Sequence, residues 1–125
     1  MQFDKFISPK KIKVGDRNFT ISQIPAVDAL DICNEVTASI TKNGIIGITM
    51  LPSDVDRKIL CYTALNETAD IVPDTDLLFG QIFSGHIDDV KKLVIAMVKE
   101  NFGFLTSGAL LGDLAEMTGA VDSAS

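Results

Sequence analysis

The chain begins with a strand-like alternation of apolar and polar residues that gives way to a helical pattern. The apolar positions of the alternation are Ile12, Val14, Phe19 and Ile21. Gly15 to Asn18 lies between the two halves and supplies turn residues, so residues 10–24 are predicted to form a β-hairpin. Pro25 then favours the first turn of a helix, because its φ is fixed and it lacks an N–H.

Three later segments carry apolar residues at helical spacing. The spacing predicts helices from about Pro25 to Asn43, from Ser53 to about Thr68, and from His86 to Phe102. Asn43 and Gly44 form a helix stop, because both tolerate the left-handed conformation. Ser53 and Asp56 have the spacing of a capping box at the start of the second helix.

Between the second and third long helices, Pro73 to Asp76 breaks the pattern and is expected to cap a short helical piece. The predicted fold class is therefore α+β and mainly α, with an N-terminal β-hairpin followed by a bundle of three long helices plus short helical pieces. Residues 1–105 are predicted to form a single domain, with the hairpin at 10–24 and the helical part at 25–105. Residues 106–125, rich in small side chains, are expected to form a partly mobile C-terminal tail.

Three stretches carry more apolar residues than a polar surface or a simple amphipathic helix requires. They are Ile45 to Leu51, the centre of the third long helix from Leu93 to Val98, and the group Phe102, Phe104 and Leu105. Each stretch packs either in the core or against another chain. For the third helix, where Ile95 falls on the expected polar side, we favour a covering second chain. For residues 45–51 we favour a buried segment.

Charge and targeting patterns exclude several classes of partner. The formal net charge of the 125 residues is −6, from 17 acidic and 11 basic residues. We therefore expect no nucleic-acid partner and no anionic membrane surface. No window reaches the roughly 18 apolar residues of a membrane span, and the N-terminus lacks a signal-peptide pattern, so a cytoplasmic location is expected.

The residues that usually carry chemistry do not assemble into a recognisable motif. His86 is the single histidine and lies at a predicted helix start, where a surface role is expected. Asp74 and Asp76 lack the glycine and distal glutamate of a calcium loop. Cys33 and Cys61, without a CxxC pattern, fit buried free thiols better than a metal site or a disulfide. The sequence predicts a non-catalytic protein without cofactor or metal.

Three phrases of the sequence resemble a known family. They are Lys11-Ile12-Lys13-Val14-Gly15-Asp16-Arg17-Asn18-Phe19-Thr20-Ile21, then Ile24-Pro25-Ala26-Val27-Asp28-Ala29-Leu30, and Val98-Lys99-Glu100-Asn101-Phe102-Gly103-Phe104-Leu105. Together they resemble the tail assembly chaperones of long-tailed bacteriophages and prophages over about residues 10–105. That family has no invariant catalytic motif, so no active-site residue follows from the resemblance.

The resemblance implies an oligomerising, mainly helical protein of the host cytoplasm, absent from the mature virion. Its implied partner is the hydrophobic tape measure protein, with the tail tube protein as a further candidate and a homo-oligomer as its own state. The candidate partner or oligomer-binding residues are Ile45, Ile46, Ile48, Met50, Leu51, Ile95, Phe102, Phe104 and Leu105. The alternative function is a structural virion component, such as a tail tube, tail completion or head–tail connector subunit, for which a larger β-sheet is expected.

Overall fold

An antiparallel β-hairpin begins the part of the chain, residues 9–106, that the computed structural model describes. Strand β1 (Lys10–Val14) pairs with β2 (Arg17–Ile21), and Ile12 lies opposite Phe19. Gly15 takes φ 63° in the turn, a value that glycine adopts without steric cost. The predicted hairpin is confirmed.

The sheet is larger than the hairpin, with four strands in the order β1-β2-β3-β4. β3 (Thr63–Asn66) pairs antiparallel with β2, and β4 (Asp70–Ile71) pairs with β3. The prediction of one helix from Ser53 to about Thr68 is therefore wrong. The helix ends at Leu60, and the next residues alternate between buried and half-buried. Residues 63–66 pair with β2 instead of continuing the helix. A lone hairpin is marginal in water, and this added strand stabilises it.

The helical elements are α1 (Ala26–Asn43), a 3-10 segment (Ile45–Met50), α2 (Ser53–Leu60), α3 (Asp76–Phe83), α4 (Ile87–Asn101) and α5 (Gly103–Thr106). The coarse prediction of an α+β fold with an N-terminal hairpin and several helices is confirmed. The finer prediction of three long helices is not, because α2 has 8 residues against 18 in α1 and 15 in α4.

Two predicted helix boundaries are confirmed, and one predicted helix cap is wrong. Gly44 follows α1 with φ 79°, and the Thr75 hydroxyl accepts a hydrogen bond from the backbone N–H of Leu78 at the start of α3. The capping box at Ser53 is wrong, since α2 begins after Pro52 without a side-chain cap. The Asp56 carboxylate accepts a hydrogen bond from the Lys91 ammonium on α4 instead.

Helix α4 lies at the centre of the fold, in contact with β1, α2, α3, α5 and the 3-10 segment. Its buried apolar residues are Val90, Leu93, Val94, Met97 and Val98, while Ile95 and Ala96 are half-buried against the same core. The apolar centre of this helix is thus explained by packing within the domain. The covering second chain that the sequence favoured is not needed to account for it.

The inner face of the sheet packs on these helices. Phe19 of β2 is fully buried and stacks on Phe83 of α3, with ring centroids 6.1 Å apart. The opposite face carries Lys11 and Thr20 at paired positions and stays largely polar. One hydrophobic core therefore joins sheet and helices.

A buried ion pair fastens the hairpin to the start of α4. The Arg17 guanidinium donates to the Asp89 carboxylate at 3.1 Å and to the Ile82 carbonyl at 2.7 Å. Its Cζ lies 5.4 Å from the centroid of the Phe19 ring. The Asp89 side chain is only 5% exposed, so the Arg17 guanidinium takes the place of water that would otherwise solvate the carboxylate.

Gly47 is required by a close approach between the 3-10 segment and α1. A Cβ built on Gly47 would lie 2.3 Å from the backbone oxygen of Ser39, and the Ser39 hydroxyl donates to the Gly47 carbonyl at 2.7 Å. We expect Gly47→Ala to force the two backbones apart and lower the free energy of unfolding by about 2 kcal/mol, as overpacking in a core does. Urea denaturation followed by circular dichroism measures this change.

Gly80, in the middle of α3, is the matched control for this substitution. A Cβ on Gly80 meets nothing within 4 Å. Gly80→Ala should therefore raise the free energy of unfolding by up to about 1 kcal/mol, because alanine is the better helix former. If Gly47→Ala were as harmless as Gly80→Ala, the tight contact with Ser39 would be refuted.

Within residues 9–106, no helix is both long and apolar enough to cross a membrane. The predicted C-terminal tail lies, from residue 107 onward, outside the described residues. The single-domain assignment of residues 1–105 stays a prediction.

Candidate functional site

The structure divides the nine candidate binding residues into two groups. Ile45, Ile46, Met50 and Phe104 are exposed, whereas Ile48, Leu51, Phe102 and Leu105 are buried in the core and Ile95 is half-buried. The segment from Ile45 to Leu51 thus combines the two alternatives, with part of it in the core and part on the surface. Ile48, Leu51 and Leu105 are not accessible to a partner in this fold, and Phe102 reaches the surface only as part of a groove wall.

An apolar groove of about 360 Å³ runs between the first turns of α1 and the end of the helical domain. Its α1 wall is formed by Ala26, Ala29, Leu30 and Cys33, and its opposite wall by Asn101, Phe102 and Phe104. The α1 residues are three or four positions apart and so share one helix face. The lining is almost wholly apolar, which suits hydrophobic side chains of a partner.

Asn101 holds the two walls of this groove together. Its side-chain amide donates to the carbonyl oxygens of Ser22 at 3.2 Å and Met97 at 3.1 Å. Its side-chain oxygen accepts a hydrogen bond of 2.8 Å from the backbone N–H of Ile24. Asn101 thereby satisfies backbone groups in the connection that leads from β2 to α1, and fixes that connection against the end of α4.

The short helix α5 forms the rim of the groove. Phe102 and Leu105 are buried and anchor it, and Phe104 between them is exposed. The rings of Phe102 and Phe104 meet edge to face, with centroids 6.5 Å apart. This arrangement gives the rim an aromatic surface that is anchored in the core.

Val27 and Leu30 form an exposed apolar ridge along α1, and Leu30 is also the edge of the groove wall. Val27 is 83% exposed and Leu30 is 68% exposed, the highest and third-highest values among the large hydrophobic side chains that the structure describes. Neither residue is among the candidate binding residues predicted from the sequence. The signal was present, because α1 buries Ile32, Val36 and Ile40 on one face, and Val27 and Leu30 fall off that face.

The other flank of the ridge is acidic. Asp31 and Glu35 of α1 and Asp54 of α2 are exposed around a cleft between these helices, together with Lys58. The Lys58 ammonium lies 4.0 Å from the Asp31 carboxylate and partly balances it. The ridge therefore separates an apolar groove from an acidic cleft.

Tyr62 is tied to the first turn of α1. Its hydroxyl donates a hydrogen bond to the Asp28 carboxylate. This hydrogen bond, followed by burial and by the charge of Asp28, raises the pKa of Tyr62 to about 12. Because the neutral phenol is the hydrogen-bonded form, its contribution to stability is complete below the unfolded pKa near 10 and is lost as the pH rises through about 12.

Tyr62 can be titrated by itself, because the chain has one tyrosine and no tryptophan. We expect the absorbance change of tyrosinate to have its midpoint at a pH of about 12, read by pH jump before alkaline unfolding. Asp28→Asn should move the midpoint toward the ordinary value near 10, because it removes the carboxylate acceptor. Asp31→Asn, one turn further along α1, is the control. Equal midpoints in all three proteins would contradict the contact.

A second, smaller groove of about 240 Å³ lies between α2, α3 and α4. Its lining includes Phe79, Ile87 and the ion pair between Asp56 and Lys91, whose atoms are 2.6 Å apart. Burial raises the pKa of Asp56, although Lys91 opposes this shift. Ile87 is 65% exposed at this groove, and Leu77 of α3 is 69% exposed.

The groups considered for chemistry are dispersed. The His86 ring nitrogen Nδ1 lies 3.7 Å from Asp89, whose carboxylate is already bound by Arg17. Cys33 and Cys61 are free thiols and are only half-buried. The prediction of free thiols agrees with the structure, and the prediction that they are buried is wrong. Among residues 9–106, no three histidine, cysteine, aspartate or glutamate side chains are grouped so as to hold a metal ion.

Comparison with family models, curated proteins and solved structures finds no match for this chain. The groove beside α1 combines exposed aliphatic side chains, an aromatic rim and an acidic flank. Such a surface is suited to binding a protein segment.

Proposed function

We propose that the protein is a non-catalytic phage tail assembly chaperone that binds the hydrophobic tape measure protein during tail assembly. The observation that carries the proposal is the exposed pair Val27 and Leu30 beside the apolar groove. A compact domain with a well-packed core gains nothing in its own stability from these two side chains on its surface. They are available to a client that presents apolar residues.

Helix-in-groove binding is the mode that this surface supports. A client helix buries residues spaced three and four apart in an apolar groove and leaves its polar side in water. The groove beside α1 is bordered by one long helix and one short helix, and its walls are apolar. The resemblance of the phrases around Leu30 and Phe102 to tail assembly chaperones points to the tape measure protein as the source of the client helix.

Self-association belongs to the same proposal. A long client with many similar segments is coated more strongly by linked copies than by separate ones. The exposed side chains Ile45, Ile46 and Met50 of the 3-10 segment form a second apolar surface and are the candidate contact between copies. The proposed location is the host cytoplasm, and the tail tube protein is a further candidate partner.

The second candidate function is a structural virion component, such as a tail tube, tail completion or head–tail connector subunit. The four-stranded sheet favours this alternative, since the sequence predicted only two strands. Mass spectrometry of purified particles distinguishes the two. A chaperone should be absent from the mature particle, and a structural subunit should be present in stoichiometric amounts.

Co-expression with the proposed client, a phage tape measure protein, tests the proposed function. We expect a soluble complex and a higher yield of soluble client than in its absence. A client that stays insoluble and does not co-purify would contradict the proposal.

A further inference from the structure

The two flanks of the Val27 and Leu30 ridge differ in charge. On one side lies the apolar groove with its wall of Ala29 and Cys33. On the other side, about a quarter turn around α1, lies Asp31, and Glu35 follows it one helical turn later. A partner that covers the ridge therefore meets hydrocarbon along one edge and carboxylates along the other.

The carboxylates of this edge are largely without compensation. Asp31, Glu35 and Asp54 are exposed, and the cation near them is Lys58, 4.0 Å from Asp31. The end of α4 that leads to the groove has a different balance, because Glu100 pairs with Lys10 at 3.1 Å. Lys99 in the same last turn is exposed. Negative charge is thus concentrated on the α1 side.

We propose that the occupant of the groove is an amphipathic helix that carries lysine or arginine along one edge of its apolar stripe. Its apolar residues cover Val27 and Leu30 and enter the groove, and its basic edge lies over Asp31 and Glu35. This inference rests on the proposed function, and it adds the chemical class and the orientation of the client segment. Charge complementarity of this kind directs encounter and fixes orientation more than it adds affinity.

Two designed peptides of about 18 residues, five helical turns each, test the proposal. Both carry the same leucine stripe, and one has lysine where the other has glutamate along one edge. Fluorescence anisotropy with the full-length protein measures their dissociation constants at low and high salt. We expect the lysine peptide to bind about tenfold more tightly at low salt, and the difference to shrink at about 0.5 M salt, where charges are screened.

Two double variants distinguish the effect of the acidic edge of α1 from the effect of the protein's net charge. Asp31→Asn with Glu35→Gln should remove most of the preference for the lysine peptide. Asp16→Asn with Asp88→Asn makes the same change in net charge near the start of α4, a helix length of about 22 Å from the groove wall at Asn101, and should keep the preference. Equal effects of the two double variants would overturn the proposal.

Four further outcomes would each overturn the proposed occupant of the groove. If both peptides bound with equal affinity and Val27→Gln/Leu30→Gln still abolished binding, the proposed basic edge of the client would be overturned. The groove would then be an apolar binding site without a charge preference. No binding of either peptide would overturn the inference, while co-expression with the natural client still tests the proposed function. Tighter peptide binding by Leu110→Glu/Leu114→Glu would assign the groove to the chain's own C-terminal segment. Loss of self-association in Val27→Gln/Leu30→Gln would assign it to a second copy.

Discussion

Replacing Val27 and Leu30 together by glutamine is expected to abolish co-purification of the client while the chaperone stays folded. Full burial of two such side chains is worth about 3 kcal/mol, which corresponds to roughly 100-fold in the dissociation constant. Glutamine keeps good helix propensity and adds no charge, so the change acts on apolar contact alone. Co-expression followed by affinity purification through the client gives the readout.

The matched control is Leu77→Gln with Ile87→Gln. These two side chains are exposed to a similar degree, 69% and 65% against 83% and 68% for Val27 and Leu30, and Ile87 lines the second groove. The control should retain the client. Both double variants should unfold within about 1 kcal/mol of the parent protein, because all four side chains lie at the surface. If the control lost the client and the α1 variant kept it, the site would lie at the second groove.

Arg17→Met is expected to lower the free energy of unfolding by about 3 kcal/mol, a large share of the 5–15 kcal/mol typical of a domain. The substitution removes the charged donor of the buried Asp89 carboxylate and leaves the His86 ring nitrogen Nδ1 3.7 Å away from it. It also removes the donor to the Ile82 carbonyl. Urea denaturation followed by circular dichroism measures the loss.

Asp89→Leu in the Arg17→Met background should recover part of this stability, because the uncompensated charge is then gone. Lys92→Met is the control, since Lys92 pairs with Asp88 at 3.5 Å on the surface, with side chains 57% and 73% exposed. Its expected effect is within about 0.5 kcal/mol. If Arg17→Met and Lys92→Met had equal effects, the buried pair would have no special role in stability.

The hairpin and the main helix boundaries are predictable from the sequence because their signals are local. Pro25 fixes its own φ, and Gly15 and Gly44 adopt positive φ values that other residues rarely take. The signal that ends α2 is not local. Residues 61–66 fit a helical or an extended pattern, and the open edge of β2 decides between them by offering hydrogen bonds.

The candidate site was only partly predictable for a related reason. Apolar runs show that a segment is hydrophobic, but not which of its residues face the core. Ile48 and Leu51 turn inward while Ile46 and Met50 turn outward, because the 3-10 segment packs one side against α1 and α4. Val27 and Leu30 escaped notice because single apolar residues among aspartates are common on helix surfaces.

The position of Asn101 has a consequence for the energetics of binding. By hydrogen bonding to Ser22 and Ile24, its side chain sets the distance between the two walls of the groove before any partner arrives. A preorganised groove loses little conformational entropy when it is filled. Most of the ordering cost then falls on the client segment, and a client helix that is already formed should associate more tightly than a flexible segment of the same sequence.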